Sequence, residues 1–390
     1  MKQYLIKILA LLLVGLMLLG VSACKKDGET DVPDTSDTVA EEENGEETPS
    51  DGESDGGEDG QPVLVTKTLK LHSRTVGSRN IGVRHIESAS QINCDAAGSG
   101  VELNIKLEGT EITFVASANA ACRFRAYVDD VEWKNADGSV YFTVGTEDTS
   151  ITLGGLTEGE HNVRLIKVTD AITAQAQIKS LTYAGTIKTE PTDKSLYIEF
   201  VGDAFTGGSG SDSDVAMLYS YKTATAMNAD YSIHAFDGQG LLAGERKVTE
   251  NYGKTSPTRD ATESYDFGRE ADMVVVNIGA VDIAGDISAE DFASAYNDLL
   301  VNIRRKNGAD CRIYCLYGVG GDKYNDAIKQ SCQALGGNTA GYYTLDITDM
   351  SQDAVAAALT EKLNATKDNT VVPSQLKGVG TIIEWKDDRS

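Results

Sequence analysis

The sequence predicts a β-sandwich of jelly-roll type over residues 62–188, followed by a parallel, doubly wound α/β body over residues 195–364. Three observations predict it. The first body alternates short β-type runs with glycine and Asp-Gly turns and has no helical period of comparable strength. The second alternates continuous apolar strands with amphipathic stretches. Residues 25–61, just ahead of both, are too polar to build a core of their own.

Residues 1–24 join Lys2 and Lys7, the apolar run "ILALLLVGLMLLG" and the ending "VSAC", the order of an export signal. The run from Tyr4 to Gly20 is nearly long enough for an uncleaved membrane span. Against that reading, Val21-Ser22-Ala23-Cys24 resembles the bacterial lipobox, whose cysteine is lipidated and becomes the mature N-terminus. The expectation is a lipoprotein acylated at Cys24, anchored in a bacterial cell membrane and facing outside, each buried CH₂ adding about 0.8 kcal/mol. Residues 25–61 carry fifteen acidic residues, two lysines and no aromatic, and read as a disordered acidic linker. Of the formal charge of −25, about −14 remains on residues 62–390, which argues against nucleic acid and anionic polymers as partners. Neutral or acetylated polysaccharide stays open.

In the first body the strand-like runs are "VLVTKTLKLH", "GVELNIKL", "EITFVASA", "CRFRAYVDDVEW", "VYFTVG", "ITLGGL", "HNVRLIKVT" and "AQIKSLTYAG". In the second they are "LYIEFVG", "YSIHAF", "DMVVVNIG", "CRIYCLYG" and "GYYTLDI". Helical patterns separate the latter, such as "SAEDFASAYNDLLVNIRRKNG" and "SQDAVAAALTEKLNA". The tail 365–390 offers one candidate strand, "TIIEW", and no other assignment. Cys94, Cys122, Cys311, Cys315 and Cys332 are odd in number, so they cannot all pair internally. Their spacing suits buried thiols better than a metal site, and no cofactor is implied.

In a parallel sheet the functional crevice lies at the carboxyl ends of the strands. There the chain reads Gly202-Asp203-Ala204-Phe205-Thr206-Gly207-Gly208, then Asp237-Gly238-Gln239-Gly240, then Gly279-Ala280-Val281-Asp282. These turns suit backbone N–H groups aimed at a ligand oxygen. Together with "GEHNVRLIKVTDA" late in the sandwich, they resemble the SGNH (GDSL-type) hydrolases, whose α/β domain is flavodoxin-like. The fit is best with carbohydrate esterase family 2, which joins a small N-terminal β-sandwich to such a domain and includes acetylxylan esterases. The resemblance implies that the residue after Gly-Asp is the nucleophile, that the glycine of the second turn and an asparagine of the third bind the oxyanion, and that a histidine before the last helix is the base. On this sequence those positions are Ala204, Gly238, Val281 and no histidine at all, since the four histidines are His72, His85, His161 and His234.

Two readings follow. In one, the scaffold is a pseudoenzyme with a vestigial site at Asp203, Ala204, Gly238, Gly279, Val281 and Asp282, binding carbohydrate or a partner through Gly238, Gln239 and aromatic side chains such as Trp133, Tyr219, Tyr221 and Trp385. In the other, it is a polysaccharide O-acetyl esterase with relocated groups drawn from Thr206, Ser209, Ser211, Ser213 and His234. A third, a spacer whose cleft is filled by Phe205 and Val281, predicts no open space over Ala204.

Overall fold

The computed structural model describes residues 65–71, 75, 77–84, 91–256, 258 and 264–372. The export signal, Cys24, the acidic linker, His72, His85, Trp385 and "TIIEW" lie outside the described residues.

Ten strands make the first body: β1 (Thr66–Lys70), β2 (Ser78–Ile81), β3 (Ile92–Cys94), β4 (Gly100–Ala118), β5 (Cys122–Val128), β6 (Val131–Glu132), β7 (Phe142–Val144), β8 (Thr149–Gly154), β9 (Gly159–Lys167) and β10 (Ala176–Ile187). All their ladders are antiparallel, in the order β1-β10-β4-β9-β5-β6, with β2 and β8 also on β4, β3 on β10 and β7 on β5. Leu103, Ile105, Phe114, Phe124, Leu165 and Ile178 are buried in one core with Cys94 and Cys122.

β4 departs from the expected pair of strands. Nineteen residues run through Glu108-Gly109-Thr110 without a turn, the first half paired with β9 and the second with β8. The pairing with β9 ends at Leu107 and that with β8 begins at Glu111, so Gly109 lies at an irregularity between the two ladders, where the register with β10 also shifts. The run "CRFRAYVDDVEW", read from sequence as one strand, is instead β5 and β6 joined by a two-residue turn, with Asp129 and Asp130 both left-handed at φ 52° and 64°.

The second body holds β11 (Tyr197–Gly202), β12 (Asp230–Ala235), β15 (Met273–Asn277), β16 (Arg312–Tyr317) and β17 (Tyr342–Asp346) in the all-parallel order β12-β11-β15-β16-β17. A short ladder of β13 (Gln239–Gly240) and β14 (Arg246–Lys247) stands apart. The helices are α1 (Ala204–Gly207), α2 (Tyr219–Ala226), α3 (Val248–Asn251), α4 (Ala280–Ala284), α5 (Ala289–Asn307), α6 (Asn325–Ala334) and α7 (Gln352–Thr366). β11 and β15 are buried along their whole length, which is why their sequences are apolar runs without alternation. α5 begins where the Ser288 hydroxyl accepts from Asp291 N–H and ends at Gly308, with acidic residues in its first turn and basic ones in its last. Cys311, Cys315 and Cys332 are buried in the core that α5 and α6 cover.

Two arginines from the first body are fixed in the second. Arg84, just past β2, donates from Nε to Glu199 Oε1 at 2.8 Å and lies over the rings of Tyr252, Tyr265 and Phe267 at 4.7, 5.0 and 5.2 Å. Arg125 on β5 pairs with Asp214, which also accepts from the Tyr141 hydroxyl at 2.7 Å. No helix among the described residues is long and apolar enough to cross a membrane.

Candidate functional site: the turns after β11, β12 and β15

β11 ends at Gly202 because a side chain there has no room. A Cβ would stand 2.2 Å from Thr206 Oγ1 and 2.7 Å from Asn277 O. The chain therefore turns at once into α1, with Asp203 as its cap accepting from Phe205 N–H at 3.0 Å. Burial pushes the Asp203 carboxyl up to about 6, and the nearby Asp237 and Asp282 carboxylates add to the shift. Ala204 is the first residue of the helix and half-buried, so the turn presents a methyl group where the resemblance calls for a hydroxyl.

Gly238 is exposed, left-handed at φ 78°, and a Cβ there would meet nothing within 4 Å. Gln239 beside it is fully buried, its amide donating to Gly202 O at 2.7 Å and His234 O at 3.1 Å. It fastens the second turn to the first and does not face a ligand. Gly279, at φ 136°, starts α4, which carries Val281 half-buried and without a hydrogen-bond donor. Asp282 is fully buried and accepts from Leu241, Leu242 and Ala243 N–H at 2.7, 2.7 and 2.9 Å. Asp203 and Asp282 each bind backbone of a loop, and both hold shape.

The relocated groups are not brought together. His234 is buried, its ring 6.1 Å from that of Tyr252, and burial followed by the charge of Arg84 holds it well below the ordinary imidazole range. His161 lies in the first body with Nδ1 2.7 Å from Asp129 Oδ2. Thr206 is buried, its hydroxyl 2.8 Å from Tyr219 Oη and accepting from Asn277 Nδ2 at 3.2 Å. Ser213 is buried and Ser211 exposed. Ser209 is exposed and donates to Asp237 Oδ2 at 2.5 Å, a pairing that sequence spacing does not announce. Residues 347–351, ahead of α7, supply no imidazole.

The aromatic candidates are also placed. Trp133 is half-buried against the core of the first body. Tyr219 and Tyr221 are buried. Phe205 is half-buried with its ring 5.6 Å from that of Tyr219. Gln352 of α7 donates to Phe205 O at 3.2 Å and accepts from Tyr219 N–H at 2.7 Å, joining the last helix to the first turn. Met217 and Met350, in the chain just ahead of these contacts, are exposed apolar side chains. Sequence reasoning passed over Gln352 and both methionines, although an exposed methionine in a polar loop was a usable signal.

Residues 86–191 match the family described as carbohydrate esterase 2 N-terminal. Over 275 residues the chain is 28% identical to an acetylxylan esterase / glucomannan deacetylase of Cellvibrio japonicus, covering 60% of this chain and 64% of the relative, so it spans under two thirds of that relative's length. A family two carbohydrate esterase of Clostridium thermocellum, solved in complex with cellohexaose, superposes with TM-score 0.66 at 23% identity over 74% of this chain and 98% of its own. Another solved carbohydrate esterase, described as displaying divergent catalytic and non-catalytic binding functions in its active site, superposes with TM-score 0.59 at 18% identity over 75% of this chain and 98% of its own. The chain is thus similar to carbohydrate esterase family 2, carrying that family's N-terminal domain ahead of a domain with the SGNH hydrolase fold.

Proposed function

We propose that the protein is a cell-surface lipoprotein, anchored through acylated Cys24, whose esterase-like scaffold binds polysaccharide or a partner without hydrolysing it. On this reading the chain divides into a signal peptide, the acidic linker 25–61, a jelly-roll sandwich over 62–188 and the SGNH-type domain over 195–364. The observation that supports it is Ala204 at the tip of an otherwise preserved turn. Gly202, Asp203, Gly238, Gly279 and Asp282 all have shape-holding reasons to persist, whereas nucleophile, base and asparagine positions carry none of the required groups. Losing nucleophile or base costs on the order of 10⁶ in kcat, and a missing oxyanion donor a further ~10²–10³.

A neutral glycan suits the acidic body and the relatives named above, one an acetylxylan esterase / glucomannan deacetylase and one solved with cellohexaose. The space over the turn reaches solvent, since Ala204 and Val281 are half-buried and Gly238 is exposed; this disfavours a filled spacer. The test is acetate release from acetylated xylan and glucomannan beside calorimetric binding of xylo- and cello-oligosaccharides. We expect binding without acetate.

An active esterase with relocated groups is the second reading, and the Ser209–Asp237 hydrogen bond is the observation that favours it. It predicts acetate release that disappears in Ser209→Ala. Such a result would overturn the first reading.

A further inference from the structure

We propose that Cys315 and Cys332 are a cross-linking site, a pair of thiols that closes into an internal disulfide when the chain meets a low-molecular-mass disulfide. The pair belongs to one βαβ unit, in which β16, α6 and β17 follow each other along the chain. β16 is paired on both sides, with Ile313 and Cys315 in the core under α5 and α6 and with Tyr314 and Leu316 in the opposite core. α6 carries Ile328 and Cys332 four residues apart, hence on one face, and both are buried in the core that holds Cys315. Cα atoms of α6 and β16 approach within 8 Å, and the Cys332 thiol lies within hydrogen-bonding reach of the Cys315 thiol.

The other described thiols stand apart from this pair. Cys311, four residues back along an extended chain, is about 13 Å from Cys315. Cys94 and Cys122 lie in the core of the first body. In this structure Cys315 and Cys332 are both free and buried, and burial followed by the neighbouring Cys332 thiol pushes the Cys315 thiol well above the usual range. A neutral sulfur is a poor nucleophile, so exchange proceeds while the chain folds or when α6 opens locally.

The reaction balances on the two side chains and one oxidant. Cys315 and Cys332 each give up the thiol proton, the two together lose two electrons, and an Sγ–Sγ bond forms. The S–S bond of the oxidant breaks, and it leaves as two thiols. The new bond closes a loop over residues 316–331, which contains the turn after β16. That turn borders the glycine crevice: a Cβ on Gly279 would stand 3.2 Å from the Tyr324 ring, and one on Gly320 would stand 2.6 Å from Ala280 Cβ. The cross-link would fasten this wall to the helix behind it.

The experiment incubates the full chain in glutathione buffers from fully reduced to fully oxidised, both as the folded protein and during refolding from urea. Thiols are then alkylated under denaturing conditions and the unreduced peptides are mapped by mass. In the oxidised buffer the chain should lose two alkylatable thiols, with the peptides of Cys315 and Cys332 linked, and its melting temperature should rise by at least about 3 °C. Cys332→Ala should show neither change. If that variant does not fold, Cys311→Ser, outside the pair, should still lose two thiols. Retention of every thiol in both arms, a link between any other cysteines, a link between two chains, or an equal rise in melting temperature in Cys332→Ala would each overturn the proposal.

Discussion

The two ends of the parallel sheet are built on opposite principles. At the carboxyl ends, glycines and side chains bonded to backbone, Gln239 and Asp282, do the shaping, and the side chains at the nucleophile and asparagine positions, Ala204 and Val281, carry no reactive group. At the amino ends, long charged side chains do the shaping, with Arg79, Glu102, Asp230 and Arg269 in one network. On the non-catalytic reading, a turn of this kind survives loss of the chemistry it framed, because Gly202 and Asp282 serve packing and loop closure. A charge network cannot lose one member so cheaply, since each removal strands an opposite charge away from water.

Four outcomes would sharpen or break this contrast. The largest concerns catalysis. Ala204→Ser alone should leave aryl acetate hydrolysis at background, because a serine without a base loses on the order of 10⁶. Adding Met350→His in the loop before α7 should raise it by roughly 10² or more over the wild type, some of the factor an acid–base group contributes. Measurable turnover by the wild type would show that the carboxyl end has kept its chemistry.

Next in size is the flank where the first body grips the second. Arg84→Met leaves Glu199 buried and unpaired, and should lower unfolding free energy by about 3–5 kcal/mol in a urea titration. A loss under 1 kcal/mol would mean that neither the ion pair nor the stacking of the guanidinium on the aromatic rings adds net stability.

Asp282→Ala tests whether the third turn is structural. Three backbone N–H groups lose a charged acceptor, so stability should fall by about 2–3 kcal/mol. Glycan affinity should fall with it if the loop over Gly238 frames the ligand. Unchanged stability would remove the structural account of that aspartate.

The smallest effect is a pH dependence. Asp203 has its folded pKa raised to about 6, so it binds its proton more tightly folded than unfolded; its contribution is favourable at low pH and is lost as pH rises through 6. Between pH 7 and pH 5 it should add roughly 1 kcal/mol of stability. His234 acts oppositely, because its depressed folded pKa makes it lose stability as pH falls below the unfolded imidazole value. The difference between wild type and Asp203→Asn isolates the aspartate, and a difference independent of pH would refute the shift.

Much of the fold was legible because it is local. Buried parallel strands declare themselves as apolar runs, and Ser288, Gly308 and Ser351 mark helix ends by capping chemistry that needs only neighbours in sequence. β2 was not legible. Its residues Ser-Arg-Asn-Ile fall outside every strand-like run of the sequence, yet they are largely buried, with Arg79 meeting Glu102 and Asp230 from distant strands. β4 reads as two strands for a similar reason: a glycine between two apolar runs looks like a turn until the partners on β8, β9 and β10 show that the strand continues past it.

By itself the sequence determined the parallel sheet, the three glycine turns and the absence of nucleophile, asparagine and terminal histidine, all matters of residue identity at strand ends. Only the tertiary structure decided that Gln239 is an internal clamp, that Ser209 meets Asp237, that His234 is sealed in a core, and that a charge network gathers at the amino ends. The physical reason is range. Turn geometry and helix capping act between neighbours in the chain, whereas burial and charge pairing depend on side chains such as Arg79 and Asp230 that are 151 residues apart and meet only when both bodies have folded.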